Sequence, residues 1–211
     1  MERKVEDVAA IAAALCDIPL ASGAHTEAQG EYCALEAVAK VTKQKHSDNP
    51  PNVPASLAAA GRAWNDALQT AEERARLLRP VLPLFVGASK SKRAESRRGY
   101  MAIDWTVRTF LPAFLDVAGL GEHATALRKL KVITSLALLQ AAQKKIEAAD
   151  SAADSAARSA AYSAADSAAD SAARSAARSA ARSAAGKVLT PTVALLQESF
   201  VALLTKMAAV K

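Results

Sequence analysis

The chain has 211 residues, and its 27 Lys and Arg outnumber its 21 Asp and Glu to give a formal net charge of +6. Alanine makes up about a quarter of the residues, whereas aromatic residues make up 4% and there are eight glycines and eight prolines. Because no stretch alternates apolar and polar residues over the length of a strand, this composition excludes an all-β protein. We therefore predict an all-α fold with a core of small side chains.

Capping boxes and prolines divide the first part of the chain into short helices. A capping box satisfies two backbone donors at a helix start, and Thr26 with Gln29 and Thr70 with Glu73 have its spacing. Three prolines within residues 50–54 exclude a helix there. The predicted helices span residues 2–15, 27–43, 54–69 and 70–79, followed by a short apolar segment over 81–86.

The rest of the chain predicts longer helices. Ser89 or Ser91 can cap a helix that bends at Pro112. Gly186 is expected to end a very long Ala-rich helix, and Pro191 to open a last helix that returns antiparallel to it. The predicted helices span residues 89–117, 122–130, 134–185 and 191–210.

These elements predict two domains, a compact helical domain over residues 1–132 and the Ala-rich helix with its C-terminal helix over 133–211. No run of 18 residues is both apolar and uncharged, and acidic residues stand where a signal peptide has its positive charges. We therefore expect a cytoplasmic protein without a membrane partner. Cys16 and Cys33 are too few for a disulfide framework and predict two buried free thiols.

The Ala-rich helix contains a four-residue repeat. Residues 147–186 form ten tetrads, of which all but the first read Ser-Ala-Ala-x. Alanine has the highest helix propensity, so this segment is expected to be helical with little help from packing. Each column of the repeat advances by about 40° per tetrad around an α-helix, which disfavours a conventional coiled coil.

The last position of the tetrads has a graded charge, with aspartates dominating the first part and arginines closing it. Two copies packed antiparallel would place Asp tetrads opposite Arg tetrads, which predicts a surface for self-pairing or for a protein partner. The competing interpretation is an expanded low-complexity tract that any Ala-rich helix tolerates. The predicted contact residues are Asp150, Asp154, Arg158, Tyr162, Asp166, Asp170, Arg174, Arg178 and Arg182.

A second candidate site joins residues 46–54, which we call the Pro-rich loop, to polar residues of the helix that follows it. Neighbouring Ser and His residues seldom converge as a catalytic triad, so the functional interpretation is a loop that contacts a ligand or partner. The structural alternative is a loop held by hydrogen bonds from that helix. The candidate residues are His46, Ser47, Asp48, Arg62, Asn65 and Asp66.

The sequence gives weaker indications of a metal site and of a nucleic-acid site. The three histidines, with Glu31 or Glu36, lack the spacing of an H-E-x-x-H motif, so we predict neither a metal site nor a cofactor. A run of bases could bind phosphates, but no aromatic residue lies among them and a solvated helix start is favoured. That basic patch comprises Lys90, Lys92, Arg93, Arg97 and Arg98.

A set of residues from Glu27 onward forms a recognisable pattern together with the tetrads and the final T-V-x-x-L-Q helix: Cys33, Glu36, His46, Ser47, Asp48, Pro50, Arg62, Trp64, Asn65, Asp66, Asp104 and Trp105. This pattern, which spans most of the chain, resembles an uncharacterised family of Ala-rich helical proteins encoded by actinobacteria and their phages. The resemblance implies a bacterial or phage origin and no particular activity. Residues 43–45, Asn49 and Asn52 depart from the family pattern, which makes a metal site still less expected.

These observations favour a non-enzymatic helical protein that acts through self-association or protein binding along the repeat helix. One alternative is a small-molecule or nucleotide-binding protein, and less readily an enzyme, that uses the loop at His46. The second alternative is nucleic-acid binding through residues 90–98.

Overall fold

The computed structural model describes the backbone of residues 5–166 and 171–211, and the side chains of 8–159 and 189–211. The described residues form helices and no strand, and a single bridge joins Leu20 to Tyr32. The predicted all-α fold is therefore confirmed. The chain divides into two compact units, unit 1 with residues 1–99 and 198–211, and unit 2 with residues 100–197. The division thus falls at other positions than the boundary predicted after residue 132.

Ten α-helices are described, together with a 3₁₀ turn over Glu27–Gln29 and a π-helical turn over Thr106–Phe110. The helices are α1 (Val5–Cys16), α2 (Ala34–Val41), α3 (Ala55–Ala67), α4 (Ala71–Leu78), α5 (Leu82–Phe85), α6 (Lys92–Trp105), α7 (Leu111–Val117), α8 (Gly121–Arg128), α9 (Leu136–Asp166) and α10 (Ser171–Ala208).

The start of α2 differs from the prediction. The capping box at Thr26 opens only the 3₁₀ turn, because Gly30 takes a left-handed conformation with φ of +71° and ends it. Helix α2 has its own box: Cys33 Sγ accepts from the Glu36 N–H at 3.5 Å, and Glu36 Oε2 accepts from the Cys33 N–H at 2.8 Å. The prediction of one helix over residues 27–43 is therefore wrong. The second predicted box is confirmed, with Thr70 capping α4.

The helix predicted to bend at Pro112 changes its hydrogen-bonding pattern just before that residue. Helix α6 is capped at Ser91, whose Oγ accepts from the Ala94 N–H at 3.1 Å. The π-helical turn then joins α6 to α7, and the Leu111 N–H donates to the Thr106 carbonyl, five residues earlier. Since proline has no N–H to continue the usual pattern, the wider turn lies directly before it.

The very long Ala-rich helix is not confirmed. Helix α9 ends at Asp166 and α10 begins at Ser171, and the residues between them lie outside the described part of the chain. The expected stop at Gly186 and the new helix at Pro191 are wrong, since α10 continues through both to Ala208. Glycine and proline cost about 1 and 3 kcal/mol inside a helix. The alanines before Gly186 and the Ala-Leu-Leu sequence after Pro191 have high helix propensity, which helps to offset this cost. A separate antiparallel C-terminal helix is thus absent from the described residues.

Unit 1 is built around leucines contributed by several helices. Leu35, Leu57, Leu82 and Phe85 are completely buried. Helix α3 approaches them closely at Gly61, where an added Cβ would lie 2.7 Å from Leu35 Cδ2. The close approach explains a glycine in the middle of a helix, where it would otherwise be unfavourable.

Residues 198–211, which we call the C-terminal segment, complete unit 1. Leu204 and Met207 are buried, and the Phe200 ring lies 4.3 Å from the ring of Trp64. The guanidinium of Arg98, which is 0% exposed, reaches the backbone of this segment. Its Nε donates to the Met207 carbonyl at 2.8 Å and its Nη2 to the Val210 carbonyl at 3.3 Å. These carbonyls lie at and just beyond the C-terminal end of α10, where a cation interacts favourably with the helix dipole.

Unit 2 packs the first half of α9 against the helices before it. Residues of α9 spaced by three and four positions face Val107, Leu115 and Leu127. Asp104 fixes the loop before α9, since its Oδ1 accepts from the Ile133 N–H at 2.8 Å. The residues of α9 in this contact are Leu139, Ala142, Ile146, Ala149 and Ala153.

We predict that Arg98→Met destabilises the protein by about 3–5 kcal/mol, because buried carbonyls and Glu95 lose their charged partner. Urea unfolding followed by circular dichroism measures this effect. Arg97→Met is the control, since Arg97 is exposed, and it should change stability by less than about 0.5 kcal/mol. Equal effects of the two substitutions would show that Arg98 has no special role.

Candidate functional site

A connected group of polar residues in unit 1 surrounds Glu36. We call His25, Glu31, Cys33, Glu36 and His46 the Glu36 cluster. Glu36 is 2% exposed, and its carboxylate accepts from the backbone N–H groups of His25 at 3.0 Å and Cys33 at 2.8 Å. The His25 ring lies between two carboxylates, with Nδ1 3.3 Å from Glu36 and Nε2 3.6 Å from Glu31. Glu36 therefore joins the start of α2 to the segment before it.

His46 brings the Pro-rich loop to the same cluster. Its Nε2 lies 2.7 Å from the His25 carbonyl oxygen and 3.7 Å from Glu36 Oε1. Because a carbonyl can only accept, Nε2 is the protonated nitrogen of this ring and donates to it. Its ring also meets Tyr32 edge-on, with 6.1 Å between the centroids. His46 therefore links the Pro-rich loop to the segment that contains His25.

The environment of the cluster determines the charge of its members. Burial alone would raise the pKa of Glu36, but the hydrogen bonds from the His25 and Cys33 N–H groups outweigh it and hold the pKa below the ordinary value. Burial is also the main reason that the pKa of the Cys33 thiol rises to about 12. At neutral pH Glu36 is therefore a carboxylate, and Cys33 is an unreactive thiol.

The cluster does not have the arrangement of a metal site. Within the described residues, no group of three or more His, Cys, Asp or Glu side chains could hold a metal ion. His25 and His46 are in unit 1, and His123 is on α8 in unit 2.

The polar residues of α3 form hydrogen bonds with backbone groups of other segments. Arg62 Nη1 donates to the Asp48 carbonyl at 2.8 Å, which matches the structural alternative for this loop. Asn65 is fully buried and donates to the Ala21 carbonyl at 2.9 Å. Asp66 accepts from the Gly23 N–H at 2.8 Å and so binds a different segment. Ser47 accepts from the Asn49 N–H at 3.0 Å within the loop.

The basic patch is smaller than the sequence suggests. Arg98 is completely buried, so its assignment to an exposed patch is wrong. Lys90 is exposed, but its ammonium donates to the Pro51 carbonyl. Lys92, Arg93 and Arg97 remain as exposed bases on α6. A buried arginine and a surface arginine look alike in a charge count, which explains the error.

Only part of the predicted repeat surface lies within the described side chains. Asp150, Asp154 and Arg158 are exposed on α9, and the last two form an ion pair one helical turn apart. The other candidates lie outside the residues whose side chains are described: Tyr162, Asp166, Asp170, Arg174, Arg178 and Arg182.

The two cysteines differ in environment. Both are free thiols; Cys33 is buried as predicted, but Cys16 is exposed at the end of α1. The prediction of two buried thiols is therefore wrong for Cys16. The Cys-x-x-Glu spacing at residues 33–36 was the available signal for the centre of the cluster, because cysteine can replace serine in a capping box.

Comparison with known proteins gives no functional assignment: no family model matches the chain, and no match was found among curated proteins or solved structures. The resemblance to an Ala-rich family of actinobacteria and phages stays a prediction. Among the described helices, none combines the length and the apolar character needed to cross a membrane.

We predict that Glu36→Gln lowers stability at pH 7 by about 1–3 kcal/mol, because an amide cannot replace a carboxylate that accepts from two N–H groups. The folded-state pKa of Glu36 is lowered, so its contribution is present above the ordinary value of 4.5. It is lost as the pH falls through the folded-state pKa. The deficit of the variant should therefore shrink in acid.

Thermal unfolding between pH 7 and pH 3 measures this deficit. Glu27→Gln, at an exposed position in the 3₁₀ turn, is the control. A deficit that is the same at every pH would contradict the assignment of Glu36 as a stabilising carboxylate.

Proposed function

We propose that this is a non-enzymatic helical protein that self-associates through its Ala-rich repeat, with two copies pairing antiparallel. The observation that supports the proposal is that α9 continues beyond the core that covers it. Among the α9 residues whose side chains are described, which end at Ser159, the last one packed against the core of unit 2 is Ala153, and the helix backbone continues to Asp166. Residues 154–159 therefore present a regular helical surface outside that core.

The exposed part of α9 has a surface suited to a second helix. From Asp154 to Ser159 every side chain is exposed except that of Ala156, which is half-buried. Alanine and serine are small, and the distance between packed helices depends on the side chains at the contact. A second helix could therefore approach closely along this surface.

The charges of the tetrad repeat, residues 147–186, which we call the tract, favour a second copy of the tract as the helix that binds this surface. In the first six tetrads the last position is Asp four times, whereas in the next three it is Arg each time. Two parallel copies would align like charges, but antiparallel copies bring the acidic tetrads of one toward the basic tetrads of the other. Like charges across an interface are strongly unfavourable, so orientation follows from the sequence.

The same pattern limits the strength of the pairing. The columns of the repeat rotate by about 40° per tetrad, so a straight partner meets any one column over only a few tetrads. The interface then depends on exposed charges, which salt screens over about 8 Å at physiological ionic strength. We expect a dimer that dissociates as salt is added.

The alternative functions have less support. The residues of the His46 loop and α3 form hydrogen bonds with one another and with backbone, which favours a structural role for them over ligand binding. Because Arg98 is buried, the basic patch has one exposed base fewer, which weakens the argument for nucleic-acid binding. We include a cytoplasmic location in the proposal, because an exposed free thiol such as Cys16 persists in a reducing compartment.

Two charge-reversed variants test this proposal without assuming a register. One makes the charged residues at the last position of the tetrads all basic, and the other makes them all acidic. Each variant alone should associate about tenfold or more weakly than the wild type, because its copies repel. An equal mixture should form a heterodimer. The substitutions are Asp150→Arg, Asp154→Arg, Asp166→Arg and Asp170→Arg in the first, and Arg158→Asp, Arg174→Asp, Arg178→Asp and Arg182→Asp in the second.

Native mass spectrometry and sedimentation velocity report the species, and circular dichroism confirms that each variant is folded. A control with Arg93→Asp and Arg97→Asp reverses exposed charges on α6, outside the tract. It should leave association unchanged. A monomeric wild-type protein, or association that neither tract variant weakens, would refute the proposal.

A further inference from the structure

The loop between α8 and α9 in unit 2 presents apolar side chains to solvent. Val132 is 55% exposed and Leu136, the first residue of α9, is 57% exposed. Ile133, by contrast, is 1% exposed, and its N–H donates to Asp104 Oδ1 at 2.8 Å. The buried isoleucine therefore fixes the loop and leaves Val132 on its solvent side.

The same stretch of chain has charges of one sign. Between Glu122 and Glu147 there is no acidic residue, whereas five residues are Lys or Arg. Arg128 forms an ion pair with Asp116, so the positive surplus comes from lysines, all of them exposed. These lysines are Lys129, Lys131, Lys144 and Lys145.

Helix geometry extends this surface along α9. Leu136, Gln140 and Lys144 follow one another at four-residue intervals, so they form one ridge of the helix, and all three are exposed. A single exposed apolar side chain is ordinary, whereas apolar side chains grouped within a polar rim mark an interaction site. We call Lys129, Lys131, Val132, Leu136 and Lys144 the Val132 patch.

We propose that the Val132 patch binds an acidic segment of a partner protein. Apolar side chains of that segment contact Val132 and Leu136, and its carboxylates pair with the lysines. Complementary charge steers such an encounter and rejects basic partners. This inference goes beyond self-association of the tract, because it needs neither a second copy nor the repeat.

The acidic tetrads of a second copy are a poorer match for the patch than a separate partner. Asp150 and Asp154, like Asp166 and Asp170, are separated only by serine and alanine. Such a surface supplies carboxylates but no large apolar side chain to cover Val132. The partner segment therefore needs leucine-sized side chains as well as acidic ones.

A short segment also fits the patch better than an extended anionic surface. Glu147, Asp150 and Asp154 are exposed and lie within about 40° of Leu136 around α9. A membrane along this face would meet their carboxylates, whereas a segment that ends near Lys144 avoids them. Residues 115–161 contain no aromatic side chain on which a base could stack, which disfavours single-stranded nucleic acid.

A designed acidic peptide tests this proposal on the full-length protein. The probe is a labelled helical peptide of about 15 residues, or four turns, with two leucines four residues apart and glutamates around them. Fluorescence anisotropy at low salt should show binding that weakens as salt is added. Twin peptides with alanine for leucine, or with lysine for glutamate, should bind about tenfold or more weakly.

Two variants of the patch separate the apolar contact from the charges. Val132→Ser with Leu136→Ser removes the first, and Lys131→Glu with Lys144→Glu reverses the second. Each should weaken peptide binding by about tenfold or more. These side chains are exposed, so circular dichroism should show an unchanged fold.

The control is Arg93→Asp with Arg97→Asp, which changes the net charge by the same amount as the lysine variant and reverses exposed charges on α6. It should leave the affinity for the peptide unchanged. Peptide binding that neither patch variant weakens would show that other bases, such as the arginines of the tract, hold the peptide, and it would overturn the proposal.

The absence of peptide binding would overturn the proposal as well. Binding to phosphatidylglycerol vesicles without binding to the peptide would do the same and would identify a membrane surface as the partner of the patch. Self-association is measured without the peptide, so each of these results leaves the proposed function standing.

Discussion

The burial of the Arg98 guanidinium is the constraint on which unit 1 depends. Removing an isolated charge from water costs several kcal/mol, so such a group is stable only where its donors are satisfied. Arg98 satisfies them with Glu95 and with carbonyls from two regions of the chain, Ser89 before α6 and Met207 and Val210 near the C-terminus. Displacement of the C-terminal segment would remove the acceptors of Nε and Nη2 of this buried cation, which favours one docked position. The buried apolar side chains of the segment supply the hydrophobic contact, while Arg98 determines where that contact forms.

Glu36 has the corresponding role as a buried negative charge. Its carboxylate accepts from two backbone N–H groups, and His25 and His46 complete its surroundings. Both buried charges thus bind the chain itself and leave little capacity for a ligand. The same is true of Asn65, which is bonded to Ala34 and Ala21. Residues that look reactive in the sequence are therefore mostly part of the scaffold, and for this reason we propose the repeat rather than these residues as the binding surface.

The sequence was sufficient where one local interaction determines the structure. The Thr70 box and the Ser91 cap lie where short-range hydrogen bonding places them, and the all-α class follows from composition. Prediction failed where a distant or subtle interaction decides. Gly30 ends a turn that its capping box would otherwise extend, and Arg98 is buried by a segment more than a hundred residues away. Charge and periodicity contain no information about which arginine the chain will enclose. Of the Glu36 cluster, only His46 was among the predicted site residues, whereas the hydrogen bond from Arg62 to the Asp48 carbonyl agrees with the structural alternative for the loop.

The repeat presents the opposite physical situation from Arg98. A helix of alanine and serine gains its stability mainly from propensity, and the exposed part of α9 has few neighbours in the described chain to lose. Changes in its charges should then alter what it binds while hardly altering whether it folds. In unit 1 the two properties are inseparable, since the residues that bind the C-terminal segment also form the core. A self-association surface in the tract can therefore vary in strength through a few aspartates and arginines, whereas docking of the C-terminal segment remains limited by the specific fit around Arg98.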